Sequence, residues 1–179
     1  MQAAIILTGC ALLVARPALL QLGPPLLMIT ALFAALLVAS LELRPRMARA
    51  KLRRTTGLRV VVLVTLVGVA VFGFGRAIGG GAAPVTVSAR LLALNSLAAV
   101  AEEAFFRRLV YAALVPAGAA AAIGGTAVLF ALVHLTTYGA WVLPIDLTAG
   151  LVFGWQRWST NSWSVPAITH VAANVLVVL

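Results

Sequence analysis

Seven apolar runs, residues 3–14, 18–41, 60–74, 91–100, 117–133, 141–154 and 165–179, occupy most of the chain and restrict what it can fold into. Several approach or reach the ~20 residues with which an α-helix crosses ~30 Å of hydrocarbon. A backbone in lipid has no water to bond, so it satisfies its own N–H and C=O groups as a helix or as a closed barrel. A barrel alternates apolar and polar residues in segments of ~10, and these runs do not alternate. With 63% hydrophobic and 9% charged residues, the chain also lacks the polar surface that a soluble domain turns to water. The expected fold is all-α, a polytopic transmembrane helix bundle of about seven spans.

Proline and glycine place the breaks. Gly23-Pro24-Pro25 splits the first long stretch, Gly79-Gly80-Gly81 and Pro84 follow the third helix, and Pro116 with Gly118 stops a long helical stretch that begins near residue 85. The helices expected between them cover roughly 2–22, 25–43, 58–75, 85–115, 119–135, 144–158, and 164 to the C-terminus. No internal repeat or second domain emerges, so residues 1–179 are read as a single integral-membrane domain.

The net charge of +9 is concentrated: Arg44, Arg46, Arg49, Lys51, Arg53, Arg54 and Arg59 fall between two apolar runs. A basic loop of this kind faces the anionic head groups of a lipid bilayer on the cytoplasmic side. No nucleic-acid motif or aromatic stacking pattern accompanies it, which argues against a nucleic-acid partner. With the N-terminus inside, the cytoplasmic side receives that stretch together with Arg107, Arg108 and Arg157, while the outside receives Arg16, Arg76 and Arg90. The N-terminus is therefore expected in the cytoplasm. Trp141 at one end of the sixth span, and Trp155, Trp158 and Trp163 around the other, suit interfacial belts. Cys10, the single cysteine, excludes an intrachain disulfide. It ends LTGC, which looks like a lipoprotein cleavage box without the basic region before it, and is read as part of a first span.

Charge among apolar neighbours is costly unless it is paired, hydrated or used, and AEEAFFRRLV (101–110) carries four charges. On a helix Glu103 and Arg107 stand at i, i+4 in the favourable order for an ion pair, whereas Glu102 meets Phe105 and Phe106 at those spacings. An unpaired carboxylate beside hydrocarbon is a ready proton acceptor if water reaches it. Equally, both glutamates could pair with Arg107 and Arg108 and mark a helix end. The two histidines, His134 and His170, also lie in apolar spans, and Asn174 follows His170 by one turn. Each alone could serve helix packing; three spans each bearing an expensive polar group argue for a site. Counted from the turn at 116–118, Glu102 and His134 stand ~21 and ~24 Å along an antiparallel pair, so they share a level. Asp146, two residues after Pro144, is read as a first-turn carboxylate favouring a helix N-terminus. Asn95 and Ser96 are read as bonding neighbouring helices, and Arg90 as an interfacial anchor.

EEAFFR (102–107), FALVH (130–134) and HVAAN (170–174) resemble, in order, the EExxxR, FxxxH and HxxxN motifs of the CPBP family of intramembrane proteases. This family comprises CAAX prenyl proteases of the Rce1 type and bacterial bacteriocin-processing and immunity proteins, also called Abi. The motifs span about two fifths of the chain, within a motif-bearing core at about 85–179. The resemblance implies that Glu102 and His134 activate a water for attack on a peptide carbonyl. It implies that His170 and Asn174 stabilise the oxyanion, with Glu103 and Arg107 as support. The family is described both as metal-dependent and as glutamic peptidases. A zinc set would be Glu102, His134 and His170, but HExxH is lacking and Asn174 suits an oxyanion donor, so no cofactor is expected. The implied function is an intramembrane endopeptidase acting on a peptide or membrane-protein substrate. The alternatives are a catalytically inactive scaffold or bacteriocin-immunity protein, and a proton-coupled transporter, for which inverted halves are not found. The Ala/Arg-rich composition points to a bacterial plasma membrane.

Overall fold

The computed structural model describes residues 2–43, 56–78 and 88–178. It is helical throughout, with no strand among the described residues. In chain order the helices are α1 (Gln2–Val14), α2 (Arg16–Leu19), α3 (Pro25–Glu42), α4 (Leu58–Ile78), α5 (Ala89–Glu103), α6 (Tyr111–Leu114), α7 (Ala119–Tyr138), α8 (Leu143–Thr160) and α9 (Ser164–Val178). A π-helical segment, Ala104–Val110, joins α5 to α6 without a break.

The boundaries have local causes. Pro17 cannot donate the amide hydrogen bond that would continue α1, so the helix expected to reach residue 22 stops at Val14 and a short α2 follows after Ala15. Proline also occupies the first turn of α3 and α8, where a missing N–H costs nothing. The Ser88 side chain accepts a hydrogen bond from the Leu91 amide and caps α5. Gly118 and Gly139 take φ of 101° and 86° and stop the chain at either end of α7.

Among the described residues, three helices are long and apolar enough to cross a membrane: α3 with 18 residues, α4 with 21 and α7 with 20. The expectation of about seven spans thus exceeds what length and composition establish; α1 and most of α9 are apolar but shorter. Only 17% of the α3 window and 11% of the α4 window are buried inside the protein. Uncovered apolar faces of that extent fit lipid and not water, as for an integral membrane protein.

The bundle packs α7 against α8, α5 between α3 and α9, and α4 along α8 and α9. Glycine makes the α7–α8 contact close. A Cβ on Gly150 would lie 2.7 Å from Ala127 Cα, and one on Gly154 would lie 3.0 Å from Ile123 Cγ2. Small residues four apart let two backbones approach in this way. Phe33, Phe105, Phe106, Phe130 and Phe153 fill the centre.

The charge count needs correcting. Arg16, Arg107 and Arg157, assigned above to the loops, are buried in the bundle. Arg108 donates to the carbonyls of Ser40 and Leu43 at the end of α3. Of the basic stretch, Arg59 is exposed in the first turn of α4. Residues 44–54, the glycines at 79–81 and Pro84 lie outside the described residues.

Candidate active site

The site begins where α5 changes pitch. The Tyr111 amide reaches back five residues to the Phe106 carbonyl, and so leaves the Arg107 carbonyl to another donor. Arg157 of α8 fills that role, its Nε donating to the Arg107 carbonyl at 2.9 Å. The irregular turn therefore fastens α5 to α8 beside the two glutamates.

Glu103 and Arg107 meet as their spacing suggested, with Arg107 Nε 3.3 Å from Glu103 Oε2 and both side chains sealed from solvent. Glu103 does more than pair with Arg107. Its Oε1 lies 3.2 Å from His170 Nδ1, so one carboxylate links α5 to α9. Arg107 also donates from Nη2 to the Gly150 carbonyl at 3.2 Å. The His170 ring is walled by Phe153, stacked at 4.9 Å between centroids, and by Phe130 edge-on at 5.7 Å. A ring held at Nδ1 and on its flanks has a fixed direction for Nε2.

Glu102 lacks a partner on its own helix and finds two on others. Its Oε1 stands 3.7 Å from His134 Nε2 and 4.0 Å from Arg16 Nη1. His134 Nδ1 lies 2.7 Å from the Phe130 carbonyl one turn earlier. A carbonyl only accepts, so Nδ1 carries a hydrogen, and in the neutral form of the ring Nε2 presents a lone pair towards Glu102. Asp146 Oδ2 is 3.8 Å from the same Nδ1, and Tyr138 stacks on the ring at 5.8 Å. Asn174 donates from Nδ2 to the Asn95 carbonyl at 3.3 Å.

Glu102, His134, His170 and Asn174 all line one cavity of about 570 Å³, which Arg16 and Asp146 also face. A second cavity, of about 590 Å³ and largely apolar, lies between α4, α8 and α9. Phe130, Asp146, His170 and Asn174 border both. The four side chains named from the motifs thus come from three helices to one concave surface, with Glu103 and Arg107 behind it. Sequence reading missed three neighbours. Arg16 sits against Glu102, Asp146 stands in the first turn of α8 but also beside His134, and Phe130 separates the two imidazoles. Only Phe130 carried a signal, as the first residue of FALVH.

The set Glu102, His134 and His170 does not gather into a group that could hold a metal ion, nor does any other such group form among the described residues. His170 turns Nδ1 to Glu103 while His134 turns Nε2 to Glu102, so the donors address different carboxylates.

No curated protein and no solved structure matches the chain. A family model does: that of type II CAAX prenyl endopeptidases, Rce1-like, over residues 84–176, just over half of the chain. That segment carries all three motif helices and the π-helical turn, while Arg16 lies before it. A match of this extent, over all three motif helices, settles the relationship: the chain belongs to the Rce1-like family of type II CAAX prenyl endopeptidases.

Proposed function

We propose that the chain is an intramembrane endopeptidase of the CAAX prenyl protease (CPBP) type, hydrolysing a peptide bond in a peptide or membrane-protein substrate. One observation carries the reading: Glu102 Oε1 and His134 Nε2, two acceptors, face each other at 3.7 Å on a cavity wall that His170 and Asn174 share. That spacing exceeds a direct hydrogen bond and suits a water donating to both. The water oxygen attacks the scissile carbonyl carbon as its proton passes to the Glu102–His134 pair. The carbonyl oxygen becomes an oxyanion, which accepts hydrogen bonds from Asn174 Nδ2 and His170 Nε2. Donation from Nε2 while Nδ1–H faces Glu103 requires the imidazolium, which shares the Glu103 carboxylate with Arg107. Collapse of the intermediate breaks the C–N bond, and the proton held by Glu102 and His134 goes to the leaving amine. Nothing in this sequence of steps needs a metal, so the reading is glutamic chemistry without a cofactor. The composition and basic stretch support a bacterial plasma membrane with the N-terminus in the cytoplasm.

The test is cleavage of a peptide library by the purified wild type and Glu102→Gln. General-base loss lowers kcat by about 10²–10⁴-fold with the variant still folded. Equal cleavage by the two proteins overturns the reading, and a biological effect that survives the substitution favours the inactive scaffold.

A further inference from the structure

The charged contacts around Glu102 extend beyond the three motifs, to a residue outside the family-matched segment. Arg16 belongs to α2 and is only 6% exposed. A buried guanidinium in an apolar bundle is expensive, so it needs a reason. The carboxylate within ion-pair reach of it, among the described residues, is that of Glu102, with Nη1 4.0 Å from Oε1. This is the oxygen that faces His134 Nε2. One atom of the acid is thus flanked by an imidazole on α7 and a guanidinium on α2, and among the described residues Oε2 has no ion pair.

Arg16 is also held in place. Its guanidinium carbon lies 5.4 Å from the Tyr138 ring centre and 5.9 Å from that of Phe33, a cation–π setting on two sides. The backbone that carries it is tied to α7, where Thr136 Oγ1 donates to the Val14 carbonyl at 2.8 Å. Thr136 and Tyr138 belong to the turn of α7 that follows His134. The N-terminal segment is therefore fastened to the same turn that brings the imidazole to Glu102. No side-chain nitrogen of Arg16 is among the sealed unpartnered polar atoms, and Arg16 lines the cavity.

We infer that Arg16 is a positioning residue: it pins Glu102 Oε1 opposite His134 Nε2, so that helices outside the motif-bearing segment complete the catalytic carboxylate. Without the cation the carboxylate is free to rotate about its side-chain torsions, away from Nε2. The inference rests on the peptidase reading, and two measurements separate the fates of the two.

The first is steady-state cleavage by Arg16→Gln, Arg16→Lys and Glu102→Gln beside the wild type. A misplacement of about 1 Å costs up to ~10²-fold, so Arg16→Gln should lose about 10- to 100-fold in kcat with KM within twofold. Arg16→Lys, which keeps the charge on a shorter reach, should recover part of that loss. The second is a thermal-unfolding cycle over Arg16→Gln, Glu102→Gln and the double variant, which needs no substrate. Neighbours in one charge pair are non-additive, so the double variant should melt about 2–4 °C above the sum of the single shifts. Wild-type kcat in Arg16→Gln, a loss confined to KM, or additive melting shifts each overturn the role of Arg16. A loss confined to KM would assign Arg16 to the substrate instead. Should Glu102→Gln cleave like the wild type, the peptidase reading falls and the positioning role with it. The melting cycle alone then decides whether the contact exists.

Discussion

Gly150→Ala measures how closely the two helices behind the site must approach. A Cβ at this position would meet Ala127 Cα at 2.7 Å and Ala127 Cβ at 3.0 Å. Carbon atoms rest at ~3.5–4.0 Å, so α7 and α8 must part by about 1 Å, and backbone atoms cannot step aside as a side chain can. Overpacking of this kind costs ~1–3 kcal/mol. Parting the helices also stretches the bond from Arg107 Nη2 to the Gly150 carbonyl, and a hydrogen bond from a charged donor contributes ~1.5–3 kcal/mol. Against this stands the helix-propensity gain of alanine over glycine, about 1 kcal/mol. The clash wins, and a net loss of about 2–4 kcal/mol lowers the melting temperature in detergent by roughly 5–15 °C. Gly73→Ala supplies the control with the opposite sign. It lies inside α4, and an added Cβ there meets nothing within 4 Å. Only propensity and chain entropy then act, and the melting temperature rises by about 1–4 °C. Cleavage by Gly150→Ala should fall as well, since Asp146 lies one turn before Gly150 and His134 two turns after Ala127. A Gly150→Ala protein as stable as the wild type, or more so, refutes the close approach and the site geometry built on it.

Three further predictions concern the site itself. Glu103→Gln leaves the sealed Arg107 without its counter-charge, at a cost of about 3–5 kcal/mol, and should lower the melting temperature by roughly 10 °C or more; an unchanged melting curve speaks against the bridge. Asn174→Ala removes one oxyanion donor and should reduce kcat by about 10²–10³-fold with KM little changed, so a loss seen only in KM reassigns the amide to substrate binding. Prolonged treatment with a strong metal chelator should leave cleavage unchanged, and activity lost to the chelator and restored by zinc refutes the metal-free reading.

Much of the arrangement was legible because lipid makes polar residues expensive. Glu102, His134, His170 and Asn174 stood out as residues that an apolar span has no cheap use for, and proline and glycine marked where helices end. Counting rise per residue from the turn at 116–118 put Glu102 and His134 on one level, and they lie 3.7 Å apart. What escaped were the contacts between helices distant in sequence. The partners of Glu102 could not be read from its own helix, since they come from α2 and α7. A count of loop charges treats every arginine alike, and so it placed Arg16 outside the bundle, whereas rings from α3 and α7 hold it within. Asp146 sits where its neighbour Pro144 predicts, but a first-turn position says nothing about the imidazole opposite. The π-helical turn was also invisible, because AFFRRLV reads equally well as a plain α-helix and the choice is made by the donor that Arg157 brings from α8.

That turn has an implication for the ancestry of the site. A π turn is an α-helix with one residue to spare, and each residue advances a helix by ~100°. Excising a single position between Ala104 and Val110 would let the strand of carbonyls close up as an ordinary helix. The wider turn takes up that residue, so a helix one position shorter would leave Glu102 and Glu103 on nearly their present heading. What the extra residue supplies is a backbone carbonyl to spare, and a guanidinium fifty positions further along the chain takes it.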